Sequence, residues 1–193
     1  MSLPTSEQAS RFLSPLKGSL TIVLLHDAQA RGALSRFLLG CASRMPLEAT
    51  VLDVDAFYCA SMATLVDETS GAPKGEAVLL PDRELEVPAL IPLLSSKRQL
   101  LVIDDLNSLY SLAPDGRRSQ ELTVFLRLLS YNAGLNGSWA VATAYRANID
   151  DDTRVASQRS IPAVGDIVVD TDIKDGSLKL KAKGLWPGDE LRV

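Results

Sequence analysis

The chain has 193 residues, of which 46% are hydrophobic and 23% are charged, as in a globular domain with a sizeable core. Its formal net charge of −4 gives no general attraction to nucleic acid or to an anionic membrane. Cys41 and Cys59 lack metal-ligand spacing and are too few for a disulfide framework, so we expect a cytoplasmic protein without a bound metal. Pro4 and Pro15 interrupt a polar start that does not resemble a signal peptide, and no run of about 18 apolar residues predicts a membrane span.

The first half of the chain alternates strand patterns with helix patterns after a lead-in segment of residues 1–18. The aliphatic run SLTIVLL predicts a first strand over residues 19–25, and the polar stretch 26–32 predicts a turn. Apolar residues at helical spacing then predict a helix over residues 33–43. Further strands are predicted at 50–55 and 77–80, and further helices at 56–68 and 83–95.

Residues 99–112, QLLVIDDLNSLYSL, carry the pattern of a central strand in a parallel sheet. Their continuous aliphatic run without alternation indicates a strand buried on both faces. Charged side chains are rarely buried without a partner, so we expect Asp104 and Asp105 to mark the carboxyl end of this strand. Ligands bind at that end in open α/β sheets, and in P-loop ATPases it carries the acidic residue that helps to hold Mg²⁺.

The second half of the chain continues the alternation and closes with a hairpin. Asp175-Gly176 lies between two alternating segments, which is a strong hairpin signal. The whole order predicts one α/β domain over residues 19–193, with a mainly parallel sheet and antiparallel strands at one edge. The remaining predicted segments are a helix from 106, a loop at 113–118, a helix at 119–132 with Ser119 as N-cap, a strand at 138–145, a long loop at 147–165, hairpin strands at 166–170 and 177–183, and an edge strand at 190–193.

This order of elements resembles the RecA-like core of the P-loop ATPases, and within it the branch of RadA, RadB and KaiC. Residues 100–112 are similar to that branch's Walker B strand and the helix after it. Residues 119–145 resemble the next helix and strand, and residues 166–193 resemble the closing hairpin. The resemblance implies a three-layer RecA-like domain with a mainly parallel central sheet and a C-terminal antiparallel hairpin at one edge.

The phosphate-binding loop of this family, G-x-x-x-x-G-K-[ST], is degenerate here. Asp27 falls on the first glycine and Gly32 on the second, while Ala33 and Leu34 replace the lysine and the hydroxyl residue. A carboxylate about 4 Å from a phosphate, at an effective dielectric constant near 20, costs on the order of 4 kcal/mol. We therefore expect Asp27 to cap the following helix itself, and we expect neither catalysis nor a bound cofactor.

The acidic positions of the family survive better than its phosphate loop. Asp53 and Asp55 stand where the resemblance implies an acidic pair after strand two, and Asp104 matches the Walker B aspartate. One interpretation is residual nucleotide or Mg²⁺ binding by these three residues together with Asp27 and Gly32. The favoured alternative is that they are solvated or hydrogen-bonded carboxylates at strand ends, inherited from an ATPase ancestor.

Relatives without the phosphate loop suggest what such a domain does. Residues 19–40 and 100–112 resemble the sixth subunit of eukaryotic Elongator, whose accessory subunits form a hexameric ring that engages tRNA. The SulA cell-division inhibitors also lack the loop and act by binding protein. The favoured hypothesis is a non-catalytic subunit that associates with itself or with an active RecA-like paralogue.

Two other hypotheses remain open at this point. The first is a nucleotide-binding regulator or weak ATPase of the RadB or KaiC type, based on the retained aspartates. The second is a module that binds RNA or DNA through phosphate contacts from two loops. The arginines that would make these contacts are Arg117 and Arg118 in loop 113–120 and Arg154 and Arg159 in loop 147–165.

Overall fold

The computed structural model describes residues 4–45, 47–57, 75–79, 86–95, 99–113, 115–146 and 164–193. Its helices are α1 (Ser6–Leu13), α2 (Ala28–Arg44), α3 (Leu106–Ser111) and α4 (Gly116–Asn136), with short 3₁₀ helices at Ser14–Leu16, Val87–Ser95 and Pro187–Asp189. Its strands are β1 (Leu20–Leu25), β2 (Glu48–Asp53), β3 (Gly75–Leu79), β4 (Gln99–Asp104), β5 (Trp139–Tyr145), β6 (Ile167–Lys174), β7 (Ser177–Lys181) and β8 (Glu190–Arg192). None of the helices described is both long enough and apolar enough to cross a membrane.

All eight strands form one sheet in the order β3-β2-β4-β5-β1-β6-β7-β8. The pairings from β3 through β6 are parallel, whereas β7 runs antiparallel to both of its neighbours. The hairpin turns at Asp175 and Gly176, which both have positive φ, as the Asp-Gly signal predicts. The prediction of a mainly parallel sheet with an antiparallel hairpin at one edge is therefore confirmed.

Helices cover both faces of the sheet, so the fold has three layers. Alternate residues of β1 divide between the faces: Val23 packs with α1 and α2, whereas Ile22 packs with α3 and α4. On the first face, Phe12 of α1 meets the Phe37 ring edge-on at 5.1 Å and stacks on Trp186 at 6.1 Å between centroids. Helix α1, within the lead-in segment, is thus packed onto the body of the domain.

Several element boundaries differ from prediction. Strand β2 covers Glu48–Asp53 rather than 50–55, so Asp55 lies two residues beyond its end, and β6 covers Ile167–Lys174 rather than 166–170. Three other differences have identifiable reasons. Helix α2 begins at Ala28 rather than residue 33, because the intervening alanines, glutamine and arginine favour helix although they lack an apolar stripe. Helix α4 begins at Gly116 with Asp115 as N-cap rather than Ser119. Residues 87–95 form a 3₁₀ helix, in which Pro92 supplies no backbone donor. Most of the predicted helix at 56–68 and of the predicted loop at 147–165 lies outside the described residues.

Candidate functional site at the carboxyl end of the sheet

The connection between β1 and α2 is a turn of two residues, His26 and Asp27. The Asp27 carboxylate accepts a hydrogen bond of 2.7 Å from the Ala30 amide, and its backbone carbonyl accepts one of 3.2 Å from the Arg31 amide. The helix N-terminus is therefore capped from within the chain, as expected for Asp27. Gly32 lies in the second turn of α2, where an added Cβ would meet the Phe57 ring at an ordinary 3.8 Å. The phosphate-loop positions thus form helix instead of a loop.

Arg31, in the first turn of α2, connects that helix to the ends of β2 and β4. Its Nε and Nη2 donate hydrogen bonds of 2.9 and 2.7 Å to Oδ2 of Asp104. Its Nη1 and Nη2 donate bonds of 2.7 and 2.6 Å to the two carboxylate oxygens of Asp55. Nη1 also lies 3.7 Å from Oδ2 of Asp105. Although Arg31 is only 5% exposed, its guanidinium thus has anionic partners on both sides.

Neighbouring side chains hold this arrangement in place. The Thr143 hydroxyl on β5 donates a hydrogen bond to Oδ1 of Asp104, so both oxygens of that buried carboxylate accept bonds. The Phe57 ring stacks against the guanidinium of Arg31, with Cζ 4.2 Å from the ring centroid. Asp105 caps α3 by accepting a 2.6 Å bond from the Ser108 amide. Two strands and two helices therefore meet through one buried guanidinium.

Parallel pairing of β2 with β4 brings the predicted acidic residues together. Asp53 and Asp104 are the last residues of these strands and stand opposite one another in the register. Carboxylate oxygens of Asp53, Asp55 and Asp104 lie within 4.8 Å of one another. Carboxylate oxygens are ligands that Mg²⁺ prefers, so this group could hold a cation. In this structure the guanidinium of Arg31 lies between two of the three carboxylates. We call these residues and Asp105 the Arg31 site.

Burial and ion pairing act in opposite directions on the pKa values of the site. Burial raises the pKa of Asp104 to about 6, although hydrogen bonds from Arg31 and Thr143 oppose the rise. Burial alone would raise the pKa of Asp55, but the hydrogen bonds and charge of Arg31 hold it below its ordinary value. Burial also disfavours the charged form of Arg31, yet bonds to Asp55 and Asp104 keep its pKa above the ordinary value. At neutral pH the site is therefore a network of charged groups.

The site has few of the groups that acid–base chemistry uses. His26 is the only histidine of the chain, and its Nε2 lies 3.4 Å from Nη1 of Arg146, which in turn is 3.6 Å from the Asp170 carboxylate. Asp55, at the position that the family resemblance assigns to the catalytic carboxylate, has both oxygens bonded to Arg31. A carboxylate held in this way is a weak base toward a water molecule. The arrangement suits structural ion pairing better than hydrolysis.

The structure describes two of the four arginines that were proposed for nucleic-acid contact. Arg117 and Arg118 lie at the start of α4 rather than in a loop. Arg117 donates a 2.9 Å bond to Glu121, and Arg118 lies 3.5 Å from the Asp115 carboxylate and 3.8 Å from that of Glu86. Each of these two arginines thus has an acidic neighbour. The other two proposed contacts, Arg154 and Arg159, lie outside the described residues.

Sequence reasoning identified the carboxylates of the site but missed Arg31, its central residue. The sequence did indicate that a cation should be present, because several aspartates predicted at neighbouring strand ends repel one another unless a cation lies nearby. The position of Arg31, four residues after the cap of α2, would have placed it there once the helix start was known. Comparison with protein-family models and with curated proteins found no match to the chain.

Proposed function

We propose that this chain is a non-catalytic RecA-like domain that acts as an assembly subunit, associating with itself or with an active RecA-like paralogue. The observation that carries the proposal is the guanidinium of Arg31 held between Asp55 and Asp104. In the family that the sequence resembles, these two positions serve Mg²⁺ and the attacking water. Here both carboxylates bind the guanidinium of Arg31 instead.

The architecture supports the RecA-like part of the proposal. A strand and helix, a second strand ending in Asp53, a central strand ending in Asp104, a helix, a further strand and a closing hairpin follow one another as the resemblance implies. Asp53 and Asp104 lie on adjacent parallel strands at the carboxyl edge, which is the edge where open α/β sheets bind ligands. If the chain is RecA-like, the Arg31 site therefore corresponds in position to the nucleotide site of the family.

The turn after β1 argues against phosphate binding. A phosphate loop wraps several backbone amides around the anion before its helix begins. This turn has two residues, and the amide of Ala30, one of the first amides of α2 without an intrahelical partner, already donates to the carboxylate of Asp27. A phosphate would have to displace the Asp27 cap, and it would then meet a carboxylate where the family has glycine.

Displacing Arg31 would be costly as well. Separating one partner from a buried ion pair typically costs about 3–5 kcal/mol, and Asp104 is fully buried. A Mg-nucleotide would have to replace the four hydrogen bonds that Arg31 makes with Asp55 and Asp104, and it would leave the guanidinium without these partners. We therefore expect the carboxyl edge to be closed to nucleotides in the folded protein.

Titration calorimetry with Mg-ATP and Mg-GTP tests this proposal on the full chain. The expected result is no saturable heat at millimolar nucleotide, in wild type and in the Asp104→Ala variant alike. ATP hydrolysis by the purified protein that disappears in Asp104→Ala would contradict the proposal. The Asp104→Ala protein, purified by the same procedure, is the control for a contaminating ATPase, because contaminating activity would remain in it.

A nucleotide-binding regulator is the second candidate, because three carboxylates lie within 4.8 Å of one another. That arrangement would hold Mg²⁺ if Arg31 moved away. The same titration decides between the two candidates, since a regulator must release saturable heat with Mg-ATP. If the first candidate is Elongator-like, tRNA is a further expected partner. A cytoplasmic location is a prediction of both candidates.

A further inference from the structure

Helix α4 has two apolar faces, of which the core uses only one. Its inner face packs on the sheet through five buried residues, Leu122, Phe125, Leu126, Leu129 and Ala133. Its outer face carries Val124, Leu128, Tyr131 and Leu135, which are 58%, 49%, 67% and 67% exposed. We call these four residues the outer stripe. They are four of the six large apolar side chains that the described part of the chain leaves exposed.

The outer stripe continues into a groove beside the helix. An open, mainly apolar groove of about 490 Å³ lies between α4 and the 3₁₀ helix Val87–Ser95. Ile91 on that 3₁₀ helix is 57% exposed and lines the groove together with Val124 and Leu128. The two features therefore form one continuous apolar surface.

The outer stripe itself carries little charge. Among residues 120–136, which are all described, Arg127 is the one exposed charged side chain, whereas Arg117 and Glu121, which pair with one another, also line the groove. A solvent-facing helix surface normally carries charged and polar residues, and large exposed apolar patches on soluble domains mark interaction sites. The outer stripe thus has the composition of an interface.

The spacing of the stripe suits a second copy of the chain as its partner. The steps between its residues are four, three and four, so the pattern is unchanged when its direction is reversed. We propose that the outer stripe is the interface of a two-fold symmetric homodimer in which the α4 helices of two copies pack antiparallel. Val124 of one copy then lies level with Leu135 of the other, and Leu128 lies level with Tyr131. Such self-complementarity is the requirement of a two-fold interface.

Charge placement is compatible with this arrangement. In the antiparallel register Arg127 lies level with Asn132 of the other copy rather than with the second Arg127. The steps of three and four residues are those of helices that pack nearly antiparallel, at a crossing angle of about 20°.

The exposed apolar area is large enough for a dimer. With roughly 150–200 Å² for each complete side chain, the exposed fractions of the outer stripe and Ile91 leave roughly 500 Å² of apolar surface per copy. A standard interface buries about 800 Å² per partner, of which up to about 65% is apolar in homodimers. The apolar share of such an interface is therefore already present on this face. No residue of the Arg31 site contributes to it, so the dimer and the absence of nucleotide binding can fail independently.

Molar mass by light scattering tests the dimer on the full chain. Wild type is expected at twice the 20.8 kDa chain mass, or at an even multiple of it. Leu128→Asp and Tyr131→Asp should each halve that mass while the melting transition stays cooperative, because both side chains are exposed in the single chain. The matched control is Val168→Asp, which places the same charge on an exposed valine of β6 and should leave the mass unchanged. A wild-type monomer, or aspartate variants that keep the wild-type mass, would overturn the proposal.

Disulfide trapping tests the antiparallel register independently of stability. In a Cys59→Ser background, where the remaining Cys41 is buried, differently tagged Val124→Cys and Leu135→Cys chains are mixed and oxidised. The expected product is a mixed disulfide that joins the two tags. Val124→Cys alone should not cross-link, because its two copies would be offset by about 16 Å along the helix axes, beyond the reach of a disulfide. Efficient self-linkage of Val124→Cys without mixed product would refute the register.

Discussion

Replacing Arg31 with methionine removes the cation of the Arg31 site and leaves an apolar side chain about as long as the aliphatic stem of arginine. The substitution deletes four hydrogen bonds, two to Asp104 and two to Asp55. Asp104 is fully buried, so its carboxylate would keep the hydroxyl of Thr143 as a hydrogen-bond donor but would lose its counter-ion. Removing one partner of a buried ion pair costs about 3–5 kcal/mol. Asp55 contributes less to this cost, because its side chain is 41% exposed and water can replace the lost bonds.

Urea denaturation at pH 7 measures this cost as a decrease in the free energy of unfolding. The companion variant is Asp104→Asn, and the double variant completes a mutant cycle. We expect the double variant to be more stable than the sum of the single effects implies, by about 1–3 kcal/mol, because the amide needs no counter-ion. A loss below about 1 kcal/mol in Arg31→Met, with additive effects in the cycle, would refute the view that this ion pair holds the edge of the sheet together.

Three further predictions concern the same edge. The folded pKa of Asp104 is raised from 3.8 to about 6, so the folded state binds a proton between those values that the unfolded chain does not. Wild type should therefore gain stability relative to Asp104→Asn as the pH of a urea-denaturation series falls from 7 to about 4.5, and an identical pH dependence in both proteins would contradict this. Asp55 acts in the opposite sense, because its pKa is lowered in the folded state. The stability that it contributes is present at pH values above its ordinary pKa and is lost as the pH falls through the folded pKa. Asp27→Ala should cost about 1 kcal/mol of unfolding free energy through the lost cap of α2, whereas Asp27→Asn should cost much less. Arg31→Ala should expose the carboxylates of Asp53, Asp55 and Asp104 to divalent cations, so Mn²⁺ should raise its melting temperature while leaving wild type unchanged; equal shifts in both would show that Arg31 does not block the site.

Local patterns were sufficient to predict much of the fold. The aliphatic run before Asp104 indicates a strand that is buried on both faces, and the Asp-Gly pair favours a turn with positive φ. The central strand and the hairpin therefore follow from the sequence. The start of α2 does not, because Ala28 to Arg31 favour helix through propensity without an apolar stripe. The N-cap of α4 was misplaced because Asp115 and Ser119 are both good caps, and only the structure shows which one lies at the first turn.

The acidic residues of the candidate site could be predicted from the sequence, whereas its cation, Arg31, could not. Asp53 and Asp104 each follow a strand, so parallel pairing brings them to one edge without further information. Arg31 comes from a different element, 73 residues before Asp104, and its role depends on a helix start that the pattern obscured. The outer stripe of α4 is hidden in the sequence for a different reason: the inner face alone accounts for the helical spacing of apolar residues, so the pattern does not require a second apolar face.

Solution molar mass, measured by light scattering with EDTA and again with millimolar Mg-ATP, tests the central claim most directly. Assembly that does not depend on nucleotide predicts the same mass above 20.8 kDa in both conditions. The closed Arg31 site and the outer stripe of α4 are the physical reasons for that expectation. A mass that changes on addition of Mg-ATP would contradict the account, because it would mean that the carboxyl edge of the sheet still binds a nucleotide and controls assembly through it.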